Sequence, residues 1–142
     1  MNVMNVFDRV CKEFNQLDFT IKDRKDDSIR FTADVTLKKY YKDGIFISCT
    51  VYTGGTMHIF FTFDHLDENL NTLHLLNEFN DNSSWFKAYI TQKGDKKYLE
   101  LHYAAVGPDD EAEAADNFGF ILRQLMSDTT VKYLSPLSQI TY

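Results

Sequence analysis

The sequence predicts one α+β domain in which an antiparallel sheet and helices follow in the order α-β-β-β-α-β-β-α. Two patterns carry that prediction. Apolar residues recur at three- and four-residue spacing in three segments, as a helix buried on one face requires, and at two-residue spacing in five others, as a half-buried strand requires. Short turn clusters join the alternating segments within each group. The 142 residues are 44% hydrophobic and 25% charged, with six Gly and two Pro. These are globular values that leave no room for a linker or low-complexity segment, and a chain of this length buries roughly 68% of its unfolded surface. One domain spanning residues 1–142, without internal repeats, is expected.

The first helix is read over residues 2–17, where Val3, Val6, Phe7, Val10, Cys11, Phe14 and Leu17 form a stripe between Asp8, Arg9, Lys12, Glu13 and Gln16. From Ser28 the period becomes two, and Ile29, Phe31, Ala33, Val35 and Leu37 alternate with polar residues. Lys42-Asp43-Gly44 is a turn signal, after which Ile45, Ile47, Cys49 and Val51 carry the same face through a second strand. A third strand holds Met57, Ile59, Phe61 and Phe63. Phase decides the connection between these two: a Thr53-Gly54-Gly55 loop pairs Val51 with Met57 and keeps like faces together, whereas a two-residue loop mixes them. The prediction is a type I turn with a glycine bulge. No helix follows the glycines, so they are not read as a phosphate loop.

Leu66, Leu70, Leu73, Leu76 and Phe79 predict a second helix, with Asp64 as N-cap and Asp67 and Glu68 in its first turn. Asn80 to Ser84 breaks it, and a hairpin follows from Trp85 to Thr91 and Lys97 to Ala105 around Lys93-Gly94-Asp95-Lys96. After Gly107-Pro108-Asp109, the run Asp109, Asp110, Glu111 and Glu113 opens a third helix with the stripe Ala112, Ala115, Phe118, Leu122, Leu125 and Met126. In the tail, Thr129-Thr130-Val131 reads as strand and Pro136 argues against a long helix.

Charge and missing motifs limit the function classes. The net charge of −6 repels a phosphate backbone, so direct nucleic-acid binding is not expected. The N-terminus lacks the pattern of a signal peptide and no stretch reaches membrane-span length, so a cytoplasmic protein without membrane contact is expected. Cys11 and Cys49 fall in apolar phase and are read as reduced core thiols. His58, His65, His74 and His102 show no zinc spacing, and His58 and His102 fall at polar strand positions, where surface histidines are the default. No nucleophile elbow, Walker loop, dinucleotide fingerprint or EF-hand loop occurs, so no catalytic, metal or cofactor site is assigned and the chain is read as non-enzymatic.

Leu76-Asn77-Glu78-Phe79-Asn80, Phe86-Lys87-Ala88-Tyr89-Ile90, Tyr98-Leu99-Glu100-Leu101 and the helix through Phe118 and Leu122 resemble the Asn-containing helix end, strand pair and closing helix of the bacterial YbjN-like proteins, a group labelled sensory transduction regulators. The element order resembles that group and the type III secretion chaperones. The resemblance covers about half of the chain and implies a secretion-chaperone-like fold and a non-enzymatic, dimeric protein that holds or regulates others.

The residues lead to a compatible reading independently. On the face opposite the aliphatic one, phase places Phe46, Tyr52 and Phe60 on the meander and Trp85, Tyr89, Tyr98 and His102 on the hairpin. Tyr and Trp are enriched at protein interfaces because they present large area at low entropic cost. The expected partners are a second copy of the chain and a polypeptide client. An alternative is a small acidic inhibitor or immunity protein whose carboxylates, Asp64 to Glu68 and Asp109 to Asp116, occupy a nucleic-acid channel; a further alternative is an enzyme of unassigned type.

Overall fold

A computed structural model of the chain describes residues 1–41, 44–64, 66, 68–107 and 109–137. The elements are α1 (Val3–Glu13), a 3₁₀ turn (Asn15–Leu17), β1 (Thr20–Arg24), β2 (Ser28–Val35), β3 (Ile45–Tyr52), β4 (Thr56–Phe63), α2 (Thr72–Asn82), β5 (Lys87–Lys93), β6 (Lys96–Val106), α3 (Glu111–Leu125) and α4 (Asp128–Leu134). The strands form one six-stranded sheet in the order β1-β2-β3-β4-β6-β5, with every neighbouring pair antiparallel.

The β3–β4 hairpin has the predicted register: Val51 faces Met57, Cys49 faces Ile59 and Ile47 faces Phe61. The Gly55 N–H donates to the Tyr52 carbonyl at 2.9 Å, closing a turn over Thr53 and Gly54, and Gly55 sits at φ 95° in the bulge position. The β5–β6 hairpin is tighter, with Lys93 opposite Lys96 and Gly94 at φ 62°. The Lys42-Asp43-Gly44 turn lies partly at residues 42 and 43, outside the described residues.

Period-two phase sends one side of every central strand into a single core. Ile29, Phe31, Ile45, Ile47, Cys49, Val51, Ile59, Phe61, Leu99 and Leu101 are fully buried, and full burial stabilises by roughly 1.5–3 kcal/mol for each large side chain. The helices lie on this side. Phe7 of α1 meets Phe31 edge-on at 5.4 Å, and Phe118 of α3 meets both Phe31 and Phe19, at 5.8 and 5.5 Å. Tyr41 is buried beside Phe63 and donates its hydroxyl to the Leu125 carbonyl at the end of α3, which ties the β2–β3 connection to that helix.

Four expectations are corrected. The helix predicted from Leu66 begins at Thr72. The Asn69 side chain accepts from the Asn71 N–H at 2.8 Å and the Thr72 hydroxyl accepts from the Asn69 N–H at 2.8 Å, local bonds that compete with helical ones. Leu70, ahead of the helix, and Leu73, outside the buried stripe Thr72, Leu76 and Phe79 of α2, are both exposed; Asn71 instead of Asp64 is the N-cap, and Asp67 is outside the described residues. The segment Thr129-Thr130-Val131 is helical, because Ser127 N-caps α4 through the Thr130 N–H at 3.3 Å. The sheet gains a strand, β1, whose residues are all exposed and so lack the alternation that reveals a strand. Trp85 precedes β5 instead of belonging to it.

Asn80, at the end of α2, clamps the edge of β5. Its side-chain nitrogen donates to the Ala88 carbonyl at 3.0 Å and its side-chain oxygen accepts from the Ala88 N–H at 2.7 Å, so a side-chain amide replaces a neighbouring strand. Asn80→Ala should therefore cost about 1–3 kcal/mol and accelerate hydrogen exchange at the Ala88 amide selectively; unchanged exchange would show the clamp to be idle. Gly55→Val, which forces a β-branched residue to positive φ, should cost about 1–3 kcal/mol in denaturant unfolding.

Candidate functional site: the uncovered sheet face

The side of the sheet away from the helices is covered by none of the described elements. It is built by the strand residues of opposite phase. Phe46, Ser48, Thr50 and Tyr52 project from β3, and Thr56, His58, Phe60 and Thr62 from β4. No Asp, Glu, Lys or Arg occurs among these eight, in a chain that is 25% charged. Charges stand at the flanks: Arg30 and Asp34 on β2, Lys87 on β5 and Glu100 on β6.

Strand register assembles two side-chain clusters on this face. His102 lies opposite Phe60 and Lys87. Its ring stacks on the Phe60 ring at 4.4 Å, with 7° between the planes, and its Nε2 lies 3.0 Å from His58 Nδ1. One of these nitrogens carries the shared proton and the other accepts it. Burial, helped by His58 and Lys87 and opposed by Glu100, pushes His102 below the ordinary imidazole value of 6.5. Beside this pair, Glu100 accepts hydrogen bonds from the Thr62 hydroxyl at 2.8 Å and the Tyr89 hydroxyl at 2.6 Å. Desolvation and then the Glu100 bond push the Tyr89 hydroxyl well above its usual range.

Of the seven residues predicted for this face, the structure places six there. Phe46, Phe60, Tyr89, Tyr98 and His102 are half-buried among their neighbours, and Tyr52 is 40% exposed. Tyr98 lies beneath the ammonium groups of Lys96 and Lys93, at 5.0 and 5.8 Å from its ring centroid. Trp85 is the exception. Because it lies outside the ladder its phase is not that of β5, and its ring meets Phe120 of α3 edge-on at 5.0 Å on the helix side. Sequence reasoning treated His58 as an isolated surface histidine and missed Thr62 and Glu100; their assembly depends on the β4–β6 register, which no local pattern specifies.

Elsewhere, the acidic run is engaged internally. Asp109 pairs with the N-terminal ammonium at 2.8 Å, the Asp110 side chain caps α3 through the Glu113 N–H at 2.9 Å, and Glu111 accepts from the Asn2 N–H and the Asn5 amide at 3.0 and 3.1 Å. Among the described residues no three His, Cys, Asp or Glu side chains gather as a metal site, and no described helix is long and apolar enough to cross a membrane. The thiols differ: Cys49 is fully buried, whereas Cys11, predicted as core, is only half-buried on α1. Burial pushes both thiols up, Cys49 much further.

These features define an α+β protein with one helix-covered and one bare sheet face. Its fold is similar to that of YbjN, a putative transcription regulator from E. coli, whose crystal structure superposes with a TM-score of 0.53 over 96% of this chain and 95% of that one. The sequence identity is 12%, so the likeness is one of fold. No protein-family model and no curated protein matches the chain. The two thiols provide a check on the architecture. A thiol reagent applied to native protein should label Cys11 first, and Cys49 only as fast as the molecule unfolds; rapid labelling of Cys49 would contradict its burial behind the sheet.

Proposed function

We propose that the chain is a non-catalytic, chaperone-like regulatory module that forms a homodimer through the uncovered sheet face and acts by binding a polypeptide client. The observation that carries this reading is the uncharged, aromatic centre of the face. Interface cores are depleted in charge and enriched in aromatics, whereas solvent-exposed sheet faces ordinarily carry charge. The size fits as well. Strands β2 to β6, about 4.8 Å apart and roughly 27 Å long, give a face of roughly 650 Å² in projection, close to the ~800 Å² that each partner contributes to a standard interface.

A second copy is the occupant that Arg30 and Asp34 favour. Arg30 and Asp34 stand either side of the row Thr32, Ser48, Phe60 and His102. A two-fold axis running across the strands at that row lays each Asp34 over the second copy's Arg30, twice by symmetry, and brings the aromatic centres together, while Lys87, at the exposed β5 end of the row, meets its own copy at the rim. The YbjN-like fold supports a regulatory role. The free thiols support a reducing cytoplasm as its setting. Charge mimicry is disfavoured because Asp109, Asp110 and Glu111 are held in intramolecular bonds.

Sedimentation at tens of micromolar should show a dimer. Phe60→Asp and Tyr52→Asp should each weaken it by about 30-fold or more, as expected for a residue worth ~2 kcal/mol. Glu113→Lys, on the exposed side of α3, should leave it unchanged. A strict monomer, with both Asp variants folded and equally soluble, would remove the proposed interface.

A further inference from the structure

The geometry points to the His58–His102 pair as a pH gate on self-association: the pair fits the dimer only while it shares a single proton, and a second proton drives the protomers apart. This inference rests on the uncovered sheet face being the dimer interface.

His102 lies in the row through which the two-fold axis passes, sealed on one side by the Phe60 ring at 4.4 Å. The 3.0 Å contact between His58 Nδ1 and His102 Nε2 needs one donor and one acceptor nitrogen. With both imidazoles protonated it becomes a contact between two cations that each offer N–H to the other.

Of the charges that face the pair, the Glu100 carboxylate favours the second proton, and burial, His58 and Lys87 together outweigh it. On β6 the neighbouring charge is Glu100, whose carboxylate already accepts from Thr62 of β4 and Tyr89 of β5. From β5 the residue opposite His102 is Lys87, a further cation. From β3 the residue opposite His58 is Thr50, which is uncharged. None of the described helices packs here. In the free protomer the pair is half-exposed, and water can solvate an added charge. Closing a second copy over it removes that water, so burial disfavours the doubly charged pair more in the dimer than in the monomer.

The sign follows by linkage. His102 is already held below its ordinary 6.5 in the free protomer, by burial first and by His58 and Lys87 next, and association lowers it further. The free protomer therefore binds protons that the dimer excludes. Association is strongest near neutral pH and weakens as pH falls below the ordinary imidazole range.

The test is sedimentation of the full chain at about pH 7.5, 6.5 and 5.5, a range above the titration of ordinary carboxylates. The wild-type dissociation constant should rise about tenfold or more across that range, one pKa unit being a tenfold effect. His102→Gln, neutral at every pH and still able to bond His58, should change its dissociation constant less than about threefold across the same range, whatever its value at pH 7.5. His58→Gln should behave alike and serves if the first variant misfolds. His74→Gln, on the exposed side of α2, should keep the wild-type profile. A dimer equally tight at all three pH values would overturn the gate and leave the interface standing. Full pH dependence retained in both sheet-face variants would assign the effect to another group and overturn it too. Wild-type protein that is monomeric throughout, and indifferent to Phe60→Asp, would remove the interface and the gate together.

Discussion

The β3–β4 register is the constraint on which both faces of the molecule depend. Strand side chains alternate with period two, so a slip of one residue would carry Ile45, Ile47, Cys49 and Val51 to the solvent side and bring Phe46, Ser48, Thr50 and Tyr52 into the core. The three-residue loop ending at Gly55 holds the register, because an odd loop with a glycine at positive φ matches like faces across the hairpin. β2 and β6 then pair to this central hairpin in the same phase, and the aliphatic and aromatic surfaces separate across the sheet.

With the aliphatic surface on one side only, the helices have one place to go. Phe7, Phe19, Phe31 and Phe118 meet there at ring distances of 5.4 to 5.8 Å, and these contacts join α1, α3 and β2 into one core. The sheet's edges are also guarded. Asn80 fills the hydrogen-bonding positions of Ala88 on the β5 edge. At the opposite edge β1 carries Lys22, Asp23 and Arg24 and is irregular between Ile21 and Asp23. Charge and irregularity both discourage edge-to-edge pairing. The bare sheet face, unlike the edges, has no comparable guard at its centre, which is why the proposed association is placed there.

Most of this architecture was legible because it is written in local periods. The strands β2, β3 and β4, the β5–β6 hairpin, α1, α3 and the Gly55 loop all follow from spacing and turn chemistry that one segment contains. Three failures share a cause. β1 has no buried side to alternate with, the start of α2 is decided by Asn69 and Thr72 bonding to nearby backbone, and α4 depends on a Ser127 cap that outweighs the strand propensity of Thr129-Thr130-Val131. In each, hydrophobic period is silent or misleading and hydrogen bonding or long-range pairing decides. Trp85 was assigned a face by extending the phase of β5 two residues too far, past the point where the ladder ends.

The site was legible to a different depth. Its composition could be read, since phase alone sends Phe46, Tyr52, Phe60, Tyr89, Tyr98 and His102 to one side. Its chemistry could not, because His58 and His102 come together only through the pairing of β4 with β6, two strands separated by α2 and β5 in the chain. A histidine judged alone at a polar position is unremarkable; two whose ring nitrogens share a proton beside a phenyl ring have a charge state that depends on what covers them. The same separation bears on the likeness to YbjN at 12% identity. A fold carried by period, turn geometry and one-sided burial survives replacement of nearly every side chain. A proton-sharing pair needs two particular residues at one register, so the shared fold gives no reason to expect the pair in a neighbour.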